Sequence, residues 1–379
     1  MSPQLILYLI LPLFVLAIGA CIGSFLNVVI YRIPLGMSVD KPRRSFCPSC
    51  KTQIPVYLNI PLFSWLMLRG KCKWCGEKIA FRYFLVEFLT ALCFLAIWKH
   101  SDVTLTTFSY QLVGEMVMLW ILAALLIAAT FIDIDHFIIP DSITLGGLVV
   151  GLIASFFFPV LHHQEEMWRG LVQGLIGAAI GFAMLYLVVL MGKFAFGKIR
   201  HDFDEPSDFK ISQPEGEESP IVIQLGEHQY EWGDVFYRDW DRMEMEVTKL
   251  CFDGKEQEVK EQFRVVGDGF EVDGKKVGLE TVKEASGLCT RAVVPREAMG
   301  FGDVKFIAMI GAFLGWEAIL FTIFAASIIG AVVGVTQKLM AREDWSRPLP
   351  FGPYLAFGAF LWIFTGPFVW QCYMRLLQG

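Results

Sequence analysis

Charge is scarce in this chain: Asp, Glu, Lys and Arg supply 18% of its 379 residues, against 55% hydrophobic residues and a mean hydropathy of +0.52. Roughly a quarter of an ordinary soluble domain is charged, so that class is excluded. No basic residue precedes the first apolar run, and no small-residue cleavage site follows it before Tyr31-Arg-Ile-Pro34. A removed secretory signal is therefore not expected, and the run is read as a retained span. No internal repeat is evident. The one long hydrophilic stretch has no basic surface interleaved with aromatics, so nucleic acid is not expected as a partner.

What the chain has in abundance is apolar runs, several approaching or exceeding the roughly 18–20 residues that cross a bilayer as a helix. They lie near Leu5–Val28, Tyr83–Trp98, Val113–Ile132, Ile143–Val160, Leu171–Met191, Val304–Leu314, Ala318–Thr336 and Tyr354–Trp370. The expectation is an all-α polytopic membrane protein of about eight transmembrane helices. Gly315 and Trp316 form so short a connection that the sixth and seventh make an antiparallel hairpin.

Orientation follows from the segment between the first two spans, where ten Lys and Arg from Arg32 to Arg82 face only Asp40 and Glu77. Basic loops stay cytoplasmic, which puts the N-terminus outside. The loops 133–142, 193–302 and 338–353 then fall on the cytoplasmic side as well. Residues 198–299 hold 24 acidic and 14 basic side chains, so this insert carries about −10 and the remainder about +4 of the overall −6.

The expected layout is a first span over 1–30, a small cytoplasmic domain over 31–81, four spans over 82–195, an acidic insert over 196–298 and three spans over 299–379. Within the insert, Asp202–Pro220 is rich in Asp, Glu, Ser and Pro and reads as a flexible linker. Beyond it, alternating runs at 221–225, 243–250 and 270–272 are punctuated by Asp253-Gly254, Asp268-Gly269 and Asp273-Gly274. These are hairpin signals, so the insert is expected to be a β-rich soluble domain.

Four of the nine cysteines form two knuckles, Cys47-Pro-Ser-Cys50 and Cys72-Lys-Trp-Cys75. Each can turn two thiolates toward one metal, and the connecting loop lets the pairs face each other, as a tetrahedral Zn²⁺ site requires. Four thiolates close the coordination shell, so the metal is expected to be structural. A redox pair is the competing reading, weakened by the reducing cytoplasm. Cys21, Cys93, Cys251, Cys289 and Cys372 show no such pattern and read as inert thiols.

Carboxylates bordering spans are costly and therefore informative. Asp133, Asp135 and Asp141 lie between the third and fourth spans, and Asp303 at the mouth of the sixth. The topology brings them to one depth on one side. Two carboxylates sharing one proton can hydrolyse a peptide bond, one accepting a proton from water while the other donates to the carbonyl oxygen. Gly300 and Gly302 would let a substrate backbone or a helix approach, and Lys305 would bias the pair or anchor at the interface. Asp141 also reads as the N-terminal cap of the fourth span, and Asp135, on a different helix face from Asp133, as a solvated charge. His162, His163, Glu165 and Glu166 read as a solvated turn, and His136 as an interfacial side chain.

In order along the chain, Gly23-Ser-Phe-Leu-Asn-Val-Val-Ile-Tyr-Arg-Ile-Pro34, the two Cys-x-x-Cys knuckles, Asp133 with Ile138-Ile-Pro-Asp141, Gly300-Phe-Gly-Asp303-Val-Lys305 and Pro350-Phe-Gly-Pro353 resemble the type IV prepilin peptidases. The resemblance covers the whole membrane part. It implies a bacterial inner-membrane aspartic endopeptidase, N-terminus periplasmic, that removes the leader of type IV prepilins or type II secretion pseudopilins at the cytoplasmic face. It also implies N-methylation of the new N-terminus with S-adenosylmethionine, and a setting beside the pilus or secretion assembly machinery. By motif the catalytic pair is Asp133 and Asp303, and the segment with Asn27 and Arg32 is where methylation residues are sought. The insert departs from the family pattern of a short loop. A peptidase without methylation, a noncatalytic receptor or assembly factor, and an ion-coupled transporter remain the alternatives.

Overall fold

The computed structural model describes residues 3–42, 44–101, 103, 107, 109–212, 221–236, 241–257, 259, 263–295, 300–341 and 349–378. Its helices are α1 Pro3–Arg32, α2 Phe63–Met67, α3 Phe81–His100, α4 Tyr110–His136, α5 Asp141–Phe157, α6 Met167–Phe196, a short α7 Trp232–Val235, α8 Phe301–Ala341 and α9 Gly352–Gln378. Two compact units emerge, one of 1–186 with 300–379 and one of 187–299.

The first unit is helical, and its helices are apolar on most sides, as lipid requires. Among the described residues, five are long and apolar enough to cross a membrane: Ile10–Arg32, Phe81–His100, Tyr110–His136, Met167–Phe194 and Phe301–Gln337. A sixth is α9 if its two parts, Gly352–Gly366 and Phe368–Leu376, bent by 75°, form one span. The multi-span class therefore stands with five or six spans by length and composition, a coarser count than eight. Of the expected spans, α5 has only 17 residues, and the sixth and seventh fall within the single stretch of α8.

Gly315 interrupts α8 with φ 81° and ψ 177°, a conformation open to glycine because it lacks Cβ. The Ile307 carbonyl oxygen and the Ile319 side chain lie 2.9 and 3.3 Å from the point where a Gly181 Cβ would stand. Twelve residues of unbroken helix would separate them by about 18 Å. The two arms of α8 therefore fold back on each other at Gly315. Elsewhere α1 crosses α3 closely: a Cβ on Gly19 would lie 2.7 Å from Ala91 Cα, and one on Gly23 2.6 Å from Glu87 Cα. This four-residue spacing of small residues is how membrane helices bring their backbones together.

The second unit is an antiparallel sheet of nine strands among the described residues: β1 Lys198–Ser212, β2 Val222–Leu225, β3 His228–Glu231, β4 Arg242–Phe252, β5 Lys255–Gln257, β6 Phe263–Val266, β7 Gly269–Val272, β8 Lys275–Gly278 and β9 Glu284–Pro295. The order is β3-β2-β1-β9-β4-β6-β7-β8, with β5 on the side of β4. The sheet buries Phe209, Ile211, Met243, Phe263 and Phe270 in its core, each such side chain stabilising by roughly 1.5–3 kcal/mol relative to exposure. Asp253-Gly254 and Asp273-Gly274 turn with positive φ at both residues, as tight hairpins demand.

One expectation fails here. Residues 202–212 are not a linker but most of β1, the strand that pairs with β2 and β9 at the middle of the sheet. Its polar residues alternate with half-buried ones, and the register shift between Asp202 and Ser207 accommodates Pro206, which has no N–H to give to the ladder. Residues 213–220 lie outside the described residues.

Candidate active site

Helix α4 ends where Phe137 takes a left-handed conformation and donates its N–H to the Asp133 carbonyl oxygen at 2.9 Å. Pro140 then holds the chain extended before α5 begins. This termination sets the last turn of α4 beside the first turns of α5, α8 and α9, and it sorts the aspartates by face. Asp133 points inward at 5% exposure, while Asp135 points outward and pairs with Arg82 at the start of α3. The different faces expected for these two are observed.

Asp303 sits in the first turn of α8 at 9% exposure. Ile139 lies beside both Gly302, the residue before Asp303, and Gly352, whose N–H meets Asp133, so the expected pair is brought to one neighbourhood from two helices. Asp133 Oδ2 accepts the Gly352 N–H, from the first residue of α9, at 2.9 Å. Asp303 Oδ1 is buried with no hydrogen-bond partner among the described residues. A buried acceptor left bare is costly, and a shared proton or a water is what such an oxygen requires.

Three glycines shape the surroundings. Gly300 lies beside Asp303, whose Oδ2 is 3.6 Å from the position of a Gly300 Cβ. A Cβ on Gly302 would sit 3.3 Å from the Ile139 carbonyl oxygen, and one on Gly352 would sit 2.7 Å from Asp133 Oδ2. Gly352 was not singled out as a site residue from sequence. Its Phe-Gly-Pro setting was visible as a motif, but its partner is 219 positions away.

Lys305 lies away from the pair. Its Nζ donates to Asp141 Oδ1 at 2.6 Å, joining α8 to α5. Asp141 is consequently not the cap of α5: Pro140 occupies that position, and Asp141 is the first helical residue with its side chain on Lys305. Because the ion pair is open to solvent on the Asp141 side, it contributes less than about 1 kcal/mol. Lys305→Met is expected to change turnover no more than a few-fold, measured as initial rates on a peptide substrate.

The four knuckle cysteines converge, every pair of Sγ atoms lying within 4.8 Å. Cys47–Cys75 is 3.8 Å and Cys50–Cys72 is 4.0 Å. Zn–S bonds of about 2.3 Å at tetrahedral angles place sulfurs about 3.8 Å apart, so the donor set fits. Both knuckles use one turn: Cys47 N donates to Thr52 O and Lys51 N to Cys47 O, matched by Cys72 N to Glu77 O and Gly76 N to Cys72 O. Thr52, by side chain and backbone, pulls the Cys50 thiol down to about 6, and the Cys75 and Trp74 N–H groups lower Cys72. The Glu77 backbone N–H favours the Cys75 thiolate, yet desolvation and the three neighbouring thiols push it up to about 12. A metal is what would deprotonate all four together.

The segment sought for methylation is also buried. Asn27 Nδ2 donates to Tyr83 O at 2.9 Å, while its Oδ1 has no partner among the described residues. Arg32 donates to the carbonyls of Ser38, Val39 and Pro42 and so holds the loop that follows α1. His162 departs from the solvated turn. It is buried, its Nε2 lies 2.8 Å from Ser155 Oγ, and burial pushes it down to about 4. His163, Glu165, Glu166 and His136 are exposed.

Two family profiles match the chain. The Bacterial Peptidase A24 N-terminal domain matches residues 17–101, and the Type IV leader peptidase family matches 120–199 and 284–335, passing over 200–283. The chain is 29% identical over 334 residues to a "Prepilin leader peptidase/N-methyltransferase" of Myxococcus xanthus, spanning 88% of this chain and 65% of that protein. Proteins of the same name from Stutzerimonas stutzeri and Aeromonas hydrophila are 26% and 27% identical over 96% and 93% of this chain, and over 93% and 90% of theirs. No solved structure matches.

Proposed function

We propose, for a chain that belongs to the Type IV leader peptidase family, that it is a membrane aspartic endopeptidase removing the leader of type IV prepilins or type II secretion pseudopilins. The observation that carries this reading is the convergence of Asp133 and Asp303 from α4 and α8, both buried, with one carboxylate oxygen lacking a partner among the described residues. An ionised carboxylate of the pair takes a proton from water as the water oxygen bonds to the scissile carbonyl carbon. The neutral partner protonates the carbonyl oxygen, and collapse then breaks the C–N bond as a proton passes to the leaving amine. The Gly352 N–H holds Asp133 Oδ2, which leaves Oδ1 to face the water.

The chain crosses the bacterial inner membrane eight times: α1, α3, α4, α5, α6, the two arms of α8 and α9. The N-terminus is periplasmic and the catalytic end faces the cytoplasm, a reading supported by the basic loop 32–82. The layout is a first span over 1–30, a cysteine loop over 31–81, further spans over 82–195 and 299–379, and an acidic insert over 196–298.

The same protein methylates the new N-terminus with S-adenosylmethionine, in line with the name its relatives carry. Arg32 is occupied by loop carbonyls, so Asn27, whose Oδ1 has no partner among the described residues, is the stronger candidate on that side. Incubation of the purified protein with a prepilin and S-adenosylmethionine should give a mature chain heavier by one methyl group. A product of the unmethylated mass would leave the peptidase alone, and an uncut precursor would overturn the reading.

Zinc held by Cys47, Cys50, Cys72 and Cys75 is structural, since four thiolates leave no open position. Cys72→Ser is expected to lose the bound zinc, read by elemental analysis, and to reduce methylation more than cleavage.

A further inference from the structure

Residues 56–67 present apolar side chains with their polarity inverted. In α2 the buried residue is Ser64, whose Oγ accepts the Ile60 N–H at 2.9 Å, while Phe63, Leu66 and Met67 face outward. With Val56, Tyr57 and Ile60 they form an exposed ledge, Val56 at 76% and Phe63 at 59% exposure. Water would select the opposite arrangement. The ledge is held in place: Leu62, with φ +63°, donates its N–H to Glu87 Oε2 at 2.7 Å, and Trp65 Nε1 donates to Ile79 O at 3.3 Å.

Two observations identify what covers it. Charge is the first: between Asp40 and Glu77 the chain has seven Lys and Arg and no acidic residue, and Lys73 Nζ sits 5.8 Å from the Tyr57 ring at the ledge's rim. A cationic segment with a lysine at the rim of apolar side chains complements an anionic lipid surface. Continuity is the second. The Trp65 ring packs on Phe81 and Phe84 at 5.6 and 5.3 Å, and Phe84 stacks on Phe88 at 5.9 Å. Phe81 and Phe88 are exposed on α3, itself long and apolar enough to span a bilayer, so the ledge joins the lipid-facing side of a span. Trp65 and Tyr57 are of the aromatic types that settle at the membrane–water boundary.

We propose that residues 56–67 form an interfacial anchor, with Phe63, Leu66 and Met67 immersed in the anionic leaflet at the end of the helical unit that carries Asp133. The Arg82–Asp135 pair fixes the shared end, since it joins the start of α3 to the last turn of α4. The anchor pins the cysteine knuckles against the membrane, on the side where a membrane-embedded substrate would meet the aspartates. It requires only that the helical unit span a bilayer, and is independent of the reaction proposed above.

The test uses the full-length protein with p-benzoylphenylalanine in place of Phe63 or Leu66, reconstituted in phosphatidylcholine vesicles containing phosphatidylglycerol. Position 88 serves as the lipid-facing reference and position 77 as the aqueous one. After irradiation, lipid-mass adducts are expected at 63 and 66 at a yield within about threefold of position 88, with none at 77. Adducts at 88 without any at 63 and 66 would overturn the anchor. So would cross-linking of 63 and 66 to a protein, in place of lipid, in native membranes. Retained leader cleavage in the labelled proteins shows that they are folded, and absence of cleavage by the unlabelled parent, with lipid adducts intact in the variants, would count against the catalytic reading alone.

Discussion

Asp133→Asn and Asp303→Asn are each expected to lower leader cleavage by roughly 10²- to 10⁴-fold, the range for removing a general acid or base. Asparagine keeps the size and the hydrogen-bonding shape of the carboxylate but neither takes up nor releases the proton. Gly352 N–H can still donate to residue 133, so the local fold is kept. The double substitution should be hardly slower than either single one, because the two groups act as a unit and removing one disables both. Methylation of a synthetic peptide that already has the mature N-terminus should continue in all three variants. The measurement is the mass of precursor and product over time, with far-UV circular dichroism as a check on folding. Cleavage within tenfold of the parent in either single variant would end the aspartic reading.

Gly352→Ala is expected to have the next largest effect, though residue 352 has no side chain and no role in proton transfer. The added methyl would stand 2.7 Å from Asp133 Oδ2 and 2.9 Å from Ile139 Cδ1, distances that real carbon atoms do not keep. Either α9 retreats or the carboxylate turns, and both break the N–H contact that fixes Oδ2. Displacing a reacting group by about 1 Å costs on the order of 10²-fold. The loss should appear in kcat with little change in KM, since substrate contacts away from the carboxylates are untouched. Gly146→Ala is the matched control, because its Cβ would meet nothing within 4 Å. Equal activity of the two glycine variants would remove Gly352 from the site.

Much of this architecture was readable from residue order because its signals are local. Apolar runs mark helices wherever lipid is the solvent, the paired Cys-x-x-Cys knuckles carry their own geometry, and Asp-Gly pairs announce tight hairpins. What stayed hidden depends on distant partners. The acidic start of β1 looks like a linker until β9 supplies its hydrogen bonds from some 90 positions away. His162 looks solvated beside His163, yet the turn at 159–162 carries it onto Ser155, which in turn donates to Ala312 O at 2.7 Å. Asp141 has the position of a cap, but Lys305, 164 residues on, claims its carboxylate. Asp133 and Asp303 are proposed as a pair from sequence because their motifs match a family pattern and the expected topology brings two helix ends to one side.

The sheet's first and last strands are neighbours, and Lys198, which follows α6 by one residue, stands opposite Pro295, a few residues before α8. The extra chain thus closes on itself like a zipped purse, its two lips one strand spacing apart. Enlarging or trimming what lies beyond that seam would leave Lys198 and Pro295 paired as they are. A module whose chain enters and leaves through adjacent strand ends is the kind of insertion a host fold tolerates, because its own sheet closes without borrowing a strand from elsewhere.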